Sequence, residues 1–363
     1  MYTKRLLACL LILFTVLLAA CGNVENDAGY EKVEYENKRY EEVIHDDARN
    51  ENVNNETLKV HFIDVGQADS ILIQAPTGEN MLIDAGNNDD AKTIVSYLNA
   101  QGVKKVDVLV GTHPHEDHIG SLDTVIDTYD IGKIYMPKAT ATTKTFEDVL
   151  TAIQNKGLKI TAATGGTNIS FSPSAKVEIL APNASKYEDL NNYSAVIKLT
   201  YGKTSFLFTG DAEDVSENEM LARGYDLRAD VLKVGHHGSN SSTTEAFLAA
   251  VDPTYAVICV GKGNDYGHPH KEVLKRLSDA GIKIYRTDEA GTVVFATDGE
   301  SIEIKTEKAG QAAKSDITVY ITKTGKKYHT ADCSLLRESK ISIELSEAKA
   351  RGYEPCKSCN PPQ

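Results

Sequence analysis

Four side chains able to bind a metal ion fall within the short run Thr112-His113-Pro114-His115-Glu116-Asp117-His118, at His113, His115, Asp117 and His118. Imidazole and carboxylate suit zinc, and also iron or manganese. The run directly follows an apolar stretch at 106–110 and precedes Ile119-Gly120. That order reads as a loop between a buried strand and a helix. A loop presenting alternate side chains can aim His113 and His115 at one cation while Asp117 and His118 reach a second.

A separate set lies near the C-terminus, where His329 and Cys333 form one pair and Cys356 and Cys359 another, C-x-x-C, pair. Two such pairs about twenty residues apart fit a tetrahedral Cys3His zinc site. In so short a module a structural zinc would supply folding energy that a small core cannot. A disulfide between Cys356 and Cys359 is the alternative. Cys259 lies in the apolar run 255–260 and reads as a buried, inert thiol.

The elements that must position these residues alternate in kind. Short β-type runs at 58–63, 70–74 and 81–83 precede a helix over 90–101, stopped by Gly102, and a strand over 106–110. A helix near 146–155 and strands at 177–180, 195–200 and 205–209 follow. Helices at 216–223, 244–251 and 270–280 then alternate with strands at 230–234, 255–260, 283–285 and 292–296. Strands that first run consecutively and then alternate with helices suggest helix-covered sheets, not a simple doubly wound sheet. The fold class expected is α/β, a four-layer αβ/βα sandwich over residues 57–304, joined by a linker at 305–316 to a small zinc module at 317–363.

The motifs resemble those of the metallo-β-lactamase superfamily, whose signature H-x-H-x-D-H-x-G matches residues 113–120. Leu82-Ile83-Asp84-Ala85-Gly86 precedes it, and Phe208-Thr209-Gly210-Asp211 and His236-His237-Gly238-Ser239 follow in order. Within that superfamily the chain resembles the extracellular domain of the ComEC competence proteins. The run from Phe62 to Ser70 matches their opening motif, with Ala68 where glycine is usual, and Gly267-His268-Pro269-His270 and the run from Arg286 to Gly291 match their closing ones.

The resemblance implies His113 and His115 on metal one, Asp117 and His118 on metal two, and Asp211 bridging both. One of His236 and His237 completes metal two, with His236 preferred because it comes first after the strand, which would leave His237 to face the substrate as a catalytic residue. Asp84 would orient a ligand. Asp64 and Asp69 would do likewise or simply hold the first loop. Many members supply a further histidine to metal one, but none occurs between His118 and His236. Asn191-Asn192-Tyr193-Ser194 stands there instead, and Asn192 and Ser194 are expected near phosphate or water. His268 would donate a proton or bind phosphate, and Glu213 would contact substrate or stay solvated. The tail resembles the small metal-binding domain of the Ada DNA-repair protein.

Lys4 and Arg5 precede an apolar run that ends in Leu18-Ala19-Ala20-Cys21-Gly22, which resembles a bacterial lipoprotein signal. Residues 1–20 would be removed and Cys21 lipidated. The acidic tether 21–56 would then hold the domain at the outer face of the cell membrane. The formal charge of −13 gives no general attraction to nucleic acid. From Lys305 onward, however, 11 basic residues outnumber 7 acidic ones.

The function expected is a surface-anchored metal-dependent phosphodiesterase or nuclease acting on extracellular DNA, with two divalent ions, zinc or manganese, in its site. Alternatives are a non-catalytic DNA-binding lipoprotein assisting uptake, or a phosphorylcholine-type esterase; a β-lactam substrate is less expected. No run of membrane helices follows the hydrolase region, so no uptake channel is expected from this chain. The sequence assigns no oligomeric state.

Overall fold

The computed structural model describes residues 57–308, 318–331, 333–336, 339–359 and 361. The signal segment 1–20, Cys21 with its tether, and the linker from 309 to 316 lie outside the described residues.

The first half of the chain forms β1 (Leu58–Phe62), β2 (Ile71–Gln74), β3 (Asn80–Ile83), α1 (Ala91–Ala100), β4 (Lys105–Val110), α2 (Glu116–Ile119), α3 (Leu122–Thr128), β5 (Asp130–Met136), α4 (Lys144–Asn155) and β6 (Ile160–Ala162). The second half forms β7 (Thr167–Ser172), β8 (Ala175–Ala181), β9 (Val196–Tyr201), β10 (Thr204–Phe208), α5 (Asp214–Ala222), β11 (Val231–Lys233), α6 (Glu245–Val251), β12 (Tyr255–Ile258), α7 (Lys271–Asp279), β13 (Lys283–Arg286) and α8 (Thr287–Ala290). The chain then returns to the first half through β14 (Val293–Thr297) and β15 (Ile302–Thr306).

These strands make two sheets, in the order β15-β14-β1-β2-β3-β4-β5-β6 and β13-β12-β11-β10-β9-β8-β7. Period-two alternation explains how they stack. On β1, Val60 and Phe62 join the core shared with Phe206 and Phe208 of the opposite sheet, and the Phe62 and Phe208 ring centroids lie 6.0 Å apart. His61 between them faces the other way, toward Tyr97 of α1. Behind each sheet a further core packs against helices: Leu82 and Leu109 with Leu98, Ile126 and Ile153 on one side, Leu207 and Leu232 with Phe247 and Leu277 on the other. The result is a four-layer αβ/βα sandwich.

Each sheet is part antiparallel and part parallel. Strands β3 to β6 are parallel in one sheet, and β10 to β13 in the other. Chain segments leaving the carboxyl ends of parallel strands are where α/β sheets characteristically bind ligands.

Two features depart from the expected layout. β5, β6, β7 and β15 were not foreseen as strands. The sandwich also runs past residue 304, because Glu307 N–H donates to Thr292 O and Lys308 N–H to Ala290 O, each at 2.9 Å. Residues 305–308 are therefore sheet edge, not linker.

The C-terminal module has its own sheet, from β16 (Thr318–Ile321), β17 (Lys327–His329), β18 (Ile341–Glu344) and β19 (Glu354–Pro355), in the order β18-β16-β17-β19, with the helix α9 (Leu345–Ala350). Its core is small, made by Val319, Ile321, Tyr328, Ile343, Leu345 and Ala348. Among the described residues no helix is long and apolar enough to cross a membrane.

Candidate metal centre

β4 ends at Val110, and the next residues carry His113, His115, Asp117 and His118 into the rim of the sandwich. From the other sheet, β10 delivers Asp211 and β11 delivers His236 and His237. One ligand atom from each of Asp117, His118, Asp211 and His237 comes within 4.8 Å of the others. His118 Nε2 is 3.2 Å from Asp211 Oδ1, and His237 Nε2 is 3.2 Å from Asp117 Oδ2 and 3.5 Å from Asp211 Oδ2. Beside this quartet His113 Nε2 and His115 Nδ1 lie 3.0 Å apart.

The histidines are oriented from behind, the arrangement that leaves one ring nitrogen free for a metal. His118 Nδ1 meets Asp84 Oδ2 at 2.8 Å, and His237 Nδ1 meets the Cys259 carbonyl at 2.8 Å. His113 Nδ1 has Thr112 Oγ1 at 3.2 Å and Ser194 Oγ at 3.3 Å. Asp84 is itself fixed, accepting from the Thr112 N–H and hydroxyl, both at 2.7 Å.

The donor set fits a pair of cations. His118 Nε2 and Asp211 Oδ1 face each other at 3.2 Å, buried and without a hydrogen bond to any group, a costly state for polar atoms unless a ligand between them satisfies both. Electrostatics agree. Burial would raise the pKa of Asp117 and Asp211, but the imidazoles of His118 and His237 outweigh it and hold both carboxyls well below the usual range. Burial opposes charge on His118 too, yet Asp211, Asp117 and Asp84 push its pKa well up. The pocket demands positive charge.

Several expected placements change. His237, not His236, joins the quartet. Both residues have left-handed backbone, with φ of 52° and 48°, so the turn swings their rings apart. His236 Nε2 stays 3.7 Å from Asp211, while its Nδ1 faces Glu213 Oε1 and Ser241 Oγ at 3.3 Å. Glu213 is consequently tied to His236, not left to solvent.

Asn192 and Ser194 do not face the cavity. Asn192 Oδ1 accepts the N–H groups of Glu213 and Ser216 at the start of α5, at 3.3 and 3.1 Å. Ser194 Oγ sits between His113 Nδ1 and the Asp211 N–H. The neighbouring Asn191 lines the cavity instead, with its Oδ1 buried and unpartnered.

Asp64 lies on the first loop, accepting from Gly66 N–H at 3.4 Å with Lys308 Nζ 3.6 Å away, and does not reach the ligands. Asp69 does. It is 1% exposed, with Oδ1 3.5 Å from His237 Nδ1 and Oδ2 2.5 Å from Lys233 Nζ. Lys233, fully buried, also donates to Gly210 O at 2.9 Å and lies 3.7 Å from Asp211. Lys233 is not among the residues expected from the motifs. Its signal was a cation inside the apolar strand run Val231-Leu232-Lys233-Val234.

His268 lines the cavity with Gln67, Tyr266 and His236. Burial first, and then the charges of His236 and His237, lower its pKa to about 4. At neutral pH it is an uncharged ring that can bind or orient an oxygen, not a ready proton donor. The cavity has a volume of about 300 Å³.

In the C-terminal module one donor atom from each of His329, Cys333, Cys356 and Cys359 lies within 4.8 Å of the others. His329 Nδ1 is 3.2 Å from Cys333 Sγ and 3.9 Å from Cys359 Sγ. The cysteines are free thiols, so the alternative disulfide is not formed. Burial raises the Cys356 pKa, but the Ser358 and Cys359 N–H groups outweigh it and bring it to about 7, favouring the thiolate that binds metal. Cys259 is fully buried and its thiol pKa is pushed far up by burial.

The Metallo-beta-lactamase superfamily profile matches residues 63–262. The chain belongs to that superfamily, a class of metal-dependent hydrolases. Its relatives are of the ComEC competence type. ComE operon protein 3 of Bacillus subtilis (strain 168) is 33% identical over 254 residues, covering 65% of this chain and 33% of that protein. Competence protein ComA of Neisseria gonorrhoeae is 33% identical over 234 residues, 64% of this chain and 31% of that protein. The chain therefore spans about a third of the length of these curated relatives. Among solved structures, CmlA, a diiron β-hydroxylase from Streptomyces venezuelae, overlaps with a TM-score of 0.43 at 13% identity, over 63% of this chain and 52% of that one.

Proposed function

We propose that this protein is a surface-anchored phosphodiesterase that cleaves extracellular DNA. The observation that carries the reading is the convergence of Asp117, His118, Asp211 and His237 beside the His113–His115 pair, open to one polar cavity. Two divalent cations, zinc or manganese, would be held there and would supply Lewis acidity that acidifies water and offsets phosphate charge. Asp211 lies beside His118 and His237, its backbone N–H donating to Ser194 Oγ and its carboxylate 3.7 Å from the Lys233 ammonium. Asp84 and the Cys259 carbonyl fix the rings of His118 and His237. Asn191 and His268 line the cavity as neutral groups suited to orient a phosphate oxygen.

Asp211→Ala and His237→Ala should each lower hydrolysis of bis(p-nitrophenyl) phosphate and of linear DNA by roughly 100-fold or more. Both should bind less metal by elemental analysis, whereas His236→Ala should keep its metal. Full activity in the first two variants, or a metal-free wild type, would refute the reading.

The anchor is Cys21, carrying a diacylglyceryl group at the outer face of the membrane. Its support is the motif Leu18-Ala19-Ala20-Cys21. Cys21→Ala should take up no radiolabelled palmitate and leave the detergent phase; unchanged labelling would sink this part. One structural zinc in the C-terminal module would hold a basic appendage that raises the local concentration of DNA.

A further inference from the structure

Tyr266 is the most exposed of the large apolar side chains among the described residues, at 69%. Its loop is nonetheless tightly tied. Residues 261–270 connect β12 to α7, and Asn264 braces them from within. Its Nδ2 donates to the carbonyls of Gly261 and His268 at 2.9 and 2.6 Å. Its Oδ1 accepts the N–H groups of Tyr266 and His268 at 3.2 and 3.0 Å. The Tyr266 ring lies against that of His268, with centroids 5.7 Å apart and 24° between planes. Both line the cavity that holds Asp117, Asp211 and His237. An aromatic ring so exposed contributes little to folding. Held beside metal ligands with much of its surface free, it is placed as a stacking platform.

The geometry points to a nucleobase subsite: Tyr266, backed by His268, stacks on the base adjoining the scissile phosphate. This deepens the phosphodiesterase reading and rests on it. Every base has a π-face, so such a platform favours nucleosides as a class, not a particular sequence. Tyr266 is the one carbocyclic aromatic lining the cavity among the described residues. A single aromatic wall suits a planar ring better than an alkylammonium group, which aromatic cages enclose from several sides.

The test compares two esters with the same leaving group, the p-nitrophenyl ester of thymidine 5′-phosphate and ethyl p-nitrophenyl phosphate, using the full chain loaded with metal. Wild type should favour the nucleoside ester by about 10-fold in kcat/KM, mainly through KM. Tyr266→Phe should keep that ratio and Tyr266→Ala should bring it to about 1, with circular dichroism unchanged. A wild-type ratio of about 1, an undiminished ratio in Tyr266→Ala, or equal loss on both esters overturns the subsite. So does a Tyr266-dependent preference for p-nitrophenylphosphorylcholine. If wild type hydrolyses neither ester, the phosphodiesterase reading fails as well, which separates that failure from the failure of the subsite alone.

Discussion

His61 is enclosed on the helix side of β1, 2% exposed, with Nδ1 2.8 Å from the Tyr97 hydroxyl. Burial, and then the charge of Lys59, lower its pKa to about 3. In the unfolded chain it takes up a proton near its ordinary value of about 6.5. Between these values the unfolded state binds more protons, so stability is lost as pH falls from about 6.5 toward 3, by at most roughly 5 kcal/mol from this residue. His61→Gln, which keeps a hydrogen-bonding side chain but cannot titrate, should lose less urea resistance between pH 7 and pH 4.5 than wild type. Equal losses would overturn the assignment. At this scale the sequence was legible by type more than by direction. Asp64 and Asp69 flank the same Gly66 turn and look alike in the chain, yet only Asp69 points inward, where Lys233 and His237 meet it. The order His236-His237 likewise could not reveal that left-handed backbone at both residues separates their rings.

Gly120 closes the ligand-bearing run by letting two backbones touch. Its N–H donates to Gly86 O at 2.8 Å, and a Cβ there would lie 2.2 Å from the Asn87 carbonyl carbon and 2.3 Å from Asn88 N. Neither neighbour is a side-chain tip that could swing aside. Gly120→Ala should therefore push α2 off the segment after β3 and cost about 3 kcal/mol in urea unfolding, with weaker metal retention as the ligands move. An unchanged midpoint would mean the contact relaxes freely. The same physics explains where elements escaped the sequence reading. β4 and β10 announced themselves as apolar runs ending in motif residues. β5 did not, because Gly132 looks like a break in a strand; a Cβ at Gly132 would meet Asp107 O at 2.4 Å, so the glycine permits the close approach of β4. β6 and β15 lie at opposite ends of their sheet and carry few fully buried side chains, which leaves little hydrophobic signal.

The described metal-facing residues of the larger domain all lie before residue 270, whereas the module that begins near residue 317 has its own sheet and its own Cys3His cluster. Deleting residues 317–363 should weaken DNA binding several-fold and flatten its salt dependence, because phosphate contacts release counterions. Turnover of bis(p-nitrophenyl) phosphate should stay within about twofold if the module acts only on DNA concentration. Equal loss of both activities would assign it a structural role instead. The four-layer arrangement was legible because the change from consecutive strands to strand–helix alternation spans the whole chain; the return of β14 and β15 to the first sheet was not, since no local pattern encodes which edge a late strand joins. The rim itself has a consequence for how such a protein can diversify. The aliphatic and aromatic packing that holds the sandwich together lies between and behind the sheets, while residues 261–270 enter from the end of β12 and leave into α7. If Tyr266 recognises substrate as proposed, exchanging residues 261–267 between relatives would alter which molecules are accepted while Asp84 and the Cys259 carbonyl still hold His118 and His237 and the His270 N–H still reaches Gly238 O, so selectivity could evolve by replacement of one short loop without a matching repair of the core.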